Sequence, residues 1–232
     1  VEKFSPDKVY FVIEGYPQFR LQLDEHYKSQ RKRPDESFLK QKRAIIDLVK
    51  NHMPFITVRH AEFECDDVIA TLTAMHSRKG DECTIISSDS DFIQLHNSFD
   101  IQLYNPVKKS FIEKPDYDYV VWKSLRGDPT DNILGIKGIG DKTAHKLVRD
   151  PGMLKELFQD KKKLEIFQRN VNLIRLVDLS QRIDEMEFDY GKYSFDFLYE
   201  TFDRFEFTSM LKEKTWNKYC ATFQGLQVSG FD

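Results

Sequence analysis

Three short apolar segments punctuate the first half of the chain, and they limit what it can fold into. "KVYFVIE" at 8–14, "PFITV" at 54–58 and "CTIIS" at 83–87 are rich in β-branched and aromatic residues. With turn-forming residues at their borders, they have the composition of buried strands. The segments between them have helical spacing. Residues 36–51 place Phe38, Ile45, Ile46, Leu48 and Val49 toward one side, and 66–80 repeat Val68, Ile69, Leu72 and Met75 before Gly80 as a stop signal. Strands alternating with helices predict βαβ units and a mainly parallel sheet flanked by helices. "DFIQLH" starts another helical turn, and "IQLYNPVKKSFI" at 101–112 reads as a hairpin around Asn105-Pro106. From about residue 116 the pattern is helical to the end, so an α/β half precedes a helical half.

A chain of 232 residues can bury a sizeable core as one large domain or a core with a smaller lobe. No run approaches the roughly 20 apolar residues of a membrane helix, and the opening "VEKFSPDK" is too polar for a signal peptide. The expectation is a cytoplasmic protein with no membrane partner. Cys65, Cys83 and Cys220 are scattered, which suggests neither a disulfide framework nor a zinc site. A formal net charge of −3 neither favours nor excludes nucleic acid, so the distribution of charge has to decide.

That distribution is uneven. Glu14 ends the first strand segment, Glu62, Glu64, Asp66 and Asp67 follow the second, and Asp89 and Asp91 follow the third. In an open parallel sheet the carboxyl ends of the strands share an edge where ligands bind, so these acids are expected on one rim. Two readings stay open for the individual residues. Asp66, Asp67 or Asp91 could cap a helix. Together, the acids suit hard cations such as Mg²⁺ or Mn²⁺, and two ions about 3.5–4 Å apart can clamp the attacking and leaving oxygens of a phosphodiester. The absence of His or Cys at ligand spacing disfavours zinc.

A fourth acidic group, Asp128 and Asp131 in "RGDPTDN", precedes a turn with Gly135, Gly138 and Gly140 and a helix starting near Asp141. Glycines before a helix N-terminus let backbone N–H groups approach a phosphate, and Lys137 and Lys142 add charge. Upstream, Arg20, Lys28, Arg31, Lys32 and Arg33 crowd one stretch with Phe19 and Tyr27 interleaved. A solvated charged face is the alternative reading of such a run. Lys28 and Arg31 share a face if the region is helical.

The stretches "VYFVIEGYPQFR", "YKSQR", "EFECDDVIATL", "IISSDSDFIQL" and "GDPTDNILGIKGIGDKTAHKL" resemble, in order and spacing, the 5′ nucleases: flap endonucleases, the 5′-nuclease domains of bacterial DNA polymerase I, and the ribonuclease H of T-even bacteriophages, which "IISSDSDFIQLH" resembles most. The resemblance covers about residues 9–150. It implies a 5′-nuclease core over 1–120 and a helical lobe over 121–232, with a DNA-binding helix-turn-helix at about 121–150. It also implies metal ligands at Glu64, Asp66 and Asp67 (E-x-D-D), at Asp89 and Asp91 (S-x-D-x-D), and at Asp128 and Asp131 (G-D-x-x-D-N). Lys28 and Arg31 match the catalytic cations that contact the scissile phosphate. Arg20, Tyr27, Arg33, Gly135, Lys137, Gly138, Gly140, Lys142 and Thr143 become candidate DNA contacts, with a potassium ion expected at the glycine turn. Glu14 stands where most members carry Asp, reaching one methylene further as a ligand. The family also opens with an earlier strand bearing another Asp, which is expected upstream of Val1.

The implied activity is a two-metal 5′ nuclease, a monomer that removes RNA primers or flaps from DNA and RNA–DNA duplexes. The tail "FQGLQVSGFD", with Leu226, Val228 and Phe231, is either a peptide for a sliding clamp or single-strand-binding protein, or a frayed end. Two rivals remain: a junction-binding protein of the same fold that has lost a metal site, and a phosphatase using D-x-D as nucleophile and acid.

Overall fold

A computed structural model describes residues 1–191 and 194–228. The elements run β1 Tyr10–Ile13, α1 Gln18–Leu23, α2 Glu36–His52, β2 Ile56–Arg59, α3 Cys65–Lys79, β3 Cys83–Ile86, β4 Ile101–Asn105 and β5 Ser110–Ile112. They continue with α4 Tyr119–Arg126, β6 Gly127–Asp128, β7 Ile133–Leu134, α5 Asp141–Arg149, α6 Pro151–Leu157, α7 Lys161–Ile174, β8 Glu187–Tyr190, α8 Phe195–Arg204 and α9 Glu213–Phe223. Two compact units result. The first comprises Val1–Gly15, Arg33–Ala61 and Asp184–Asp232, and the second Tyr16–Lys32 and Glu62–Ile183.

In the first unit β1 pairs parallel with β2, and β2 pairs antiparallel with β8. Ile56 and Val58 of β2 are fully enclosed, as a central strand requires. Val49 of α2 is buried too, whereas Phe38 and Ile45 lie on its exposed surface. Strand β8 corrects the expectation that everything after residue 116 is helical. Its sequence Glu-Phe-Asp-Tyr is too short and too charged to read as a strand. It holds the sheet edge partly through ion pairs, Lys50 with Asp189 at 3.1 Å and Arg59 with Glu187 at 3.5 Å. Leu226, expected on an exposed tail, is buried, and the Gln227 N–H donates to the Asp7 carbonyl at 2.7 Å. Phe231 lies outside the described residues.

In the second unit β3 pairs parallel with β4, and β4 pairs antiparallel with β5. The β4–β5 turn is where the Asn-Pro pair predicts it: Asn105 Oδ1 accepts from Val107 N at 3.0 Å and Lys108 N at 2.9 Å. Phe92, Leu95, Ile101 and Leu103 form the adjoining core with Ala70 of α3. Helix α3 ends as its sequence foretells, with Gly80 at φ 88° accommodating the left-handed cap. The turn opened by "DFIQLH" is 3₁₀ rather than α, spanning Ser90–Asn97. A further core of Leu125, Ile136, Ala144 and Leu147 supports α4 and α5.

Candidate metal centre

All the acids discussed in this subsection except Glu14 belong to the second unit. Glu64 is the extended residue before α3, and Asp66 and Asp67 occupy the first turn of that helix. Asp89 caps the 3₁₀ helix by accepting from Asp91 N at 2.9 Å. The capping role therefore falls to Asp89, where Asp91 was the candidate. Asp128 likewise caps the turn Pro129–Asp131, accepting from Thr130 N at 2.9 Å.

Oxygen atoms of Asp91, Asp128 and Asp131 all lie within 4.8 Å of one another. The strand–helix path that delivers Asp91 and the tight turn that delivers Asp128 and Asp131 thus meet at one point. Three carboxylates at this separation repel unless a cation sits among them, and an all-oxygen donor set suits a hard divalent ion.

The chain's own cations form a frame around these acids. The Lys28 ammonium is paired with Glu64 Oε1 and lies 3.8 Å from Asp131 Oδ2. Arg31 Nη2 meets Asp131 Oδ1 at 2.5 Å. Burial opposes the charge on Lys28, but Glu64 and then Asp131 outweigh it and hold the ammonium above the usual lysine range. The segment is not helical there. Lys28 has φ 55°, a conformation that strains an L side chain, and its N–H donates to the Asp131 carbonyl at 3.0 Å. Asn132, itself left-handed at φ 61°, ties the same loop down by donating to the His26 carbonyl at 2.9 Å.

Two residues expected at the DNA surface are instead inside this frame. Tyr27 is buried with its hydroxyl 3.1 Å from Glu64 Oε2 and 3.2 Å from Asp131 Oδ2. Burial, reinforced by both carboxylates, pushes its phenol far above the ordinary range, so it stays a neutral donor. Arg20 is 3 % exposed, which corrects its assignment as a DNA contact. Its Nη1 and Nη2 donate to Asp67 Oδ2 at 2.5 Å and Oδ1 at 2.8 Å, and its Nε donates to the Leu173 carbonyl at 2.8 Å. Asp67 Oδ1 also accepts from Val177 N at 2.9 Å. With no exposure and both oxygens engaged by Arg20 and Val177, Asp67 serves as an anchor for α3, a role unlike that expected of it as a metal ligand.

Asp66 is half-buried beside Cys65, and Asp89 is exposed. Glu14 directly follows β1 in the first unit, and Arg33 is exposed just before α2. In the glycine turn, a Cβ on Gly135 would come within 2.1 Å of the Arg126 carbonyl oxygen, so this glycine is required by the close β6–β7 crossing rather than by a phosphate. Gly138 has φ 85°, and Gly140, which precedes α5, has open space where its side chain would be. Lys137, Lys142 and Thr143 are exposed around it.

One participant was missed by sequence reasoning. Lys123 of α4 is buried with its ammonium bonded to Asp91 Oδ1 and, at 2.6 Å, to Asp128 Oδ2. Burial raises Asp91 above the usual aspartate range despite this lysine, while Asp128, also opposed by burial, is held below it by Lys123 and Thr130. Asn170, fully enclosed, braces the same region by donating to the carbonyls of Ser124 and Leu134, each at 2.9 Å.

Residues 1–123 match the N-terminal resolvase-like domain of the 5′-3′ exonucleases, and residues 115–191 match their C-terminal SAM-fold domain. The chain belongs to the 5′-3′ exonuclease family. That family consists of phosphodiester-hydrolysing enzymes. The thermostable DNA polymerase I of Thermus thermophilus is 32% identical over 218 residues, covering 85% of this chain and 26% of that protein. DNA polymerase I of Mycobacterium bovis is 28% identical over 245 residues, covering 92% and 26%. The chain thus spans about a quarter of the length of these relatives. Among solved structures, a bacteriophage T5 5′-exonuclease with divalent zinc bound superposes with a TM-score of 0.64 at 23% identity, and a T5 flap endonuclease complexed with DNA and metal ions with 0.62 at 21%. Each likeness covers 79% of both chains and is one of fold. Among the described residues, no helix is long and apolar enough to cross a membrane.

Proposed function

We propose that this chain is a divalent-metal-dependent, structure-specific 5′ nuclease that hydrolyses phosphodiesters near 5′ ends or flap junctions and removes RNA primers or flaps in replication. The observation that carries this reading is the meeting of Asp91, Asp128 and Asp131, with oxygens within 4.8 Å, beside the partly exposed cations Lys28 and Arg31. Those three carboxylates would hold Mg²⁺ or Mn²⁺, with Glu64, Asp66, Asp89 and Glu14 as further ligands by motif position. Two such ions would supply an activated water and stabilisation of the leaving oxygen.

The chain's own residues do the rest. Lys28 and Arg31, with side chains 18% and 53% exposed, can exchange their carboxylate partners for the non-bridging oxygens of a phosphate and neutralise the charge that develops there. Tyr27 and Arg20 keep Glu64 and α3 in register while that happens. As the attacking water gives up a proton to solvent and its oxygen bonds to phosphorus, the bond from phosphorus to the leaving sugar oxygen breaks, and that oxygen takes a proton from solvent. Gly140 and the first N–H groups of α5, with Lys137, Lys142 and Thr143, would grip duplex phosphates without reading sequence. A potassium ion at the glycine turn would complete that grip.

In this reading residues 1–120 form the 5′-nuclease core and 121–232 the helical lobe, which contributes Asp128 and Asp131 to the metal centre. The protein acts as a monomer on DNA and RNA–DNA duplexes in the cytoplasm of a bacterial or phage-infected cell. A contact with a sliding clamp or single-strand-binding protein would have to use the tail beyond Leu226. Cleavage of a 5′-flap substrate with Mg²⁺ tests the reading. Replacing Asp89→Asn together with Asp91→Asn is expected to slow cleavage by at least about 10²-fold, and a wild-type rate overturns the metal assignment. Tight flap binding by the unaltered chain with no cleavage at any Mg²⁺ or Mn²⁺ concentration favours a non-catalytic junction binder instead.

A further inference from the structure

Lys123 has no part in the mechanism above, yet it occupies the position in the acid cluster that is hardest to leave. Lysine is almost never fully enclosed unless paired, because an unpaired buried ammonium loses its hydration. Here the stem runs within α4, whose Val120 and Leu125 are buried in separate apolar clusters. The helix start is pinned twice: Asp118 accepts from Val121 N at 2.9 Å, and Asn97 accepts from Tyr119 N at 3.1 Å. The ammonium is thereby delivered between Asp91 Oδ1 and Asp128 Oδ2. Among the described residues it is the one cation paired with either acid. Lys28 and Arg31 differ, because their exposure lets them turn toward a phosphate.

We propose that the Lys123 ammonium is a tethered counter-ion that stands in one cation position of the cluster, so that a divalent ion ligated by both Asp91 and Asp128 must displace it. The inference rests on the metal-centre reading above and adds two consequences. The fold does not depend on metal, because Lys123 neutralises the buried pair when none is bound. Metal affinity is lower than these carboxylates would otherwise give, because the arriving ion competes with a cation that cannot diffuse away.

The test is Mn²⁺ binding to the DNA-free protein, followed by electron paramagnetic resonance of free Mn²⁺, with thermal unfolding in chelator and in saturating Mn²⁺. For Lys123→Met we expect Mn²⁺ to bind at least tenfold more tightly than to wild type. The melting temperature should fall in chelator and recover with Mn²⁺. Unchanged or weaker Mn²⁺ affinity overturns the proposal. If Lys123→Met does not fold even with Mn²⁺, Lys123→Gln is titrated in its place and judged by the same tenfold criterion. Wild-type protein that binds no Mn²⁺ overturns the metal centre itself, and this inference with it. Wild-type binding with an unresponsive variant overturns only the role of Lys123.

Discussion

The Arg20–Asp67 clasp and the Lys123 bridge are both buried carboxylate–cation contacts in the second unit, but they differ in how completely the carboxylate is used. Asp67 accepts from both terminal nitrogens of Arg20 and from Val177 N, and Arg20 spends its Nε on the Leu173 carbonyl. Both oxygens of that acid are engaged, and the residue is fully buried. Lys123 instead divides one ammonium between Asp91 and Asp128, so these two acids outnumber their cation, while Asp131 close by is held by Arg31 and Lys28. Carboxylates from neighbouring motifs are therefore sorted by their partners: one set builds the frame and the other keeps capacity for metal.

Removing either side of the clasp should have the largest effect on stability. Arg20→Ala leaves Asp67 buried and unpaired, and about 3–5 kcal/mol should be lost, read as a lower urea midpoint. A loss under about 1 kcal/mol would show that Asp67 is not an anchor and return it to the candidate ligands. Tyr27 spans the two regions, joining Glu64 to Asp131. Tyr27→Phe deletes a hydrogen bond to a charged group and should cost roughly 1.5–3 kcal/mol, measured the same way. An unchanged midpoint would separate the frame from the ligands.

A smaller effect distinguishes the two acids on Lys123. Asp91 is raised by burial, so the folded chain takes up that proton at higher pH than the unfolded chain. Its contribution to stability is complete below the ordinary aspartate value and is lost as pH rises through the raised one. Asp128 is lowered, so its contribution is present above the ordinary value and is lost as pH falls through the depressed one. In chelator, Asp91→Asn should therefore make the chain lose stability more steeply on acidification just above pH ~4, the ordinary aspartate value. Asp128→Asn should flatten the loss below that pH. Identical urea midpoints from pH 6 to pH 3, taken as a working range around the ordinary aspartate value, would mean that Lys123 does not distinguish them.

The parts of this arrangement legible in the sequence are those encoded locally. The apolar runs gave β1 to β3, Asn105-Pro106 gave the hairpin, Gly80 gave the end of α3, and the acid motifs gave Asp91, Asp128 and Asp131. What the sequence concealed depends on distant partners. Arg20 looks like one more cation in a basic run because its acceptors, Asp67 and Leu173, lie 47 and 153 residues away. Lys123 looks like an ordinary helix-surface residue because nothing within α4 reveals that Asp91 and Asp128 close over it. Edge strand β8 was hidden by its acidic residues, whose partners are on α2 and β2.

The most direct measurement compares Asp91→Asn with Asp128→Asn as a double variant against Arg20→Ala, following Mn²⁺ binding and unfolding of the same samples. The double variant, which leaves the buried Lys123 ammonium without a carboxylate, is predicted to lose Mn²⁺ binding even in the fraction that remains folded, while Arg20→Ala loses stability yet still binds Mn²⁺ in whatever fraction remains folded. A double variant that binds Mn²⁺ as tightly as wild type would contradict the account.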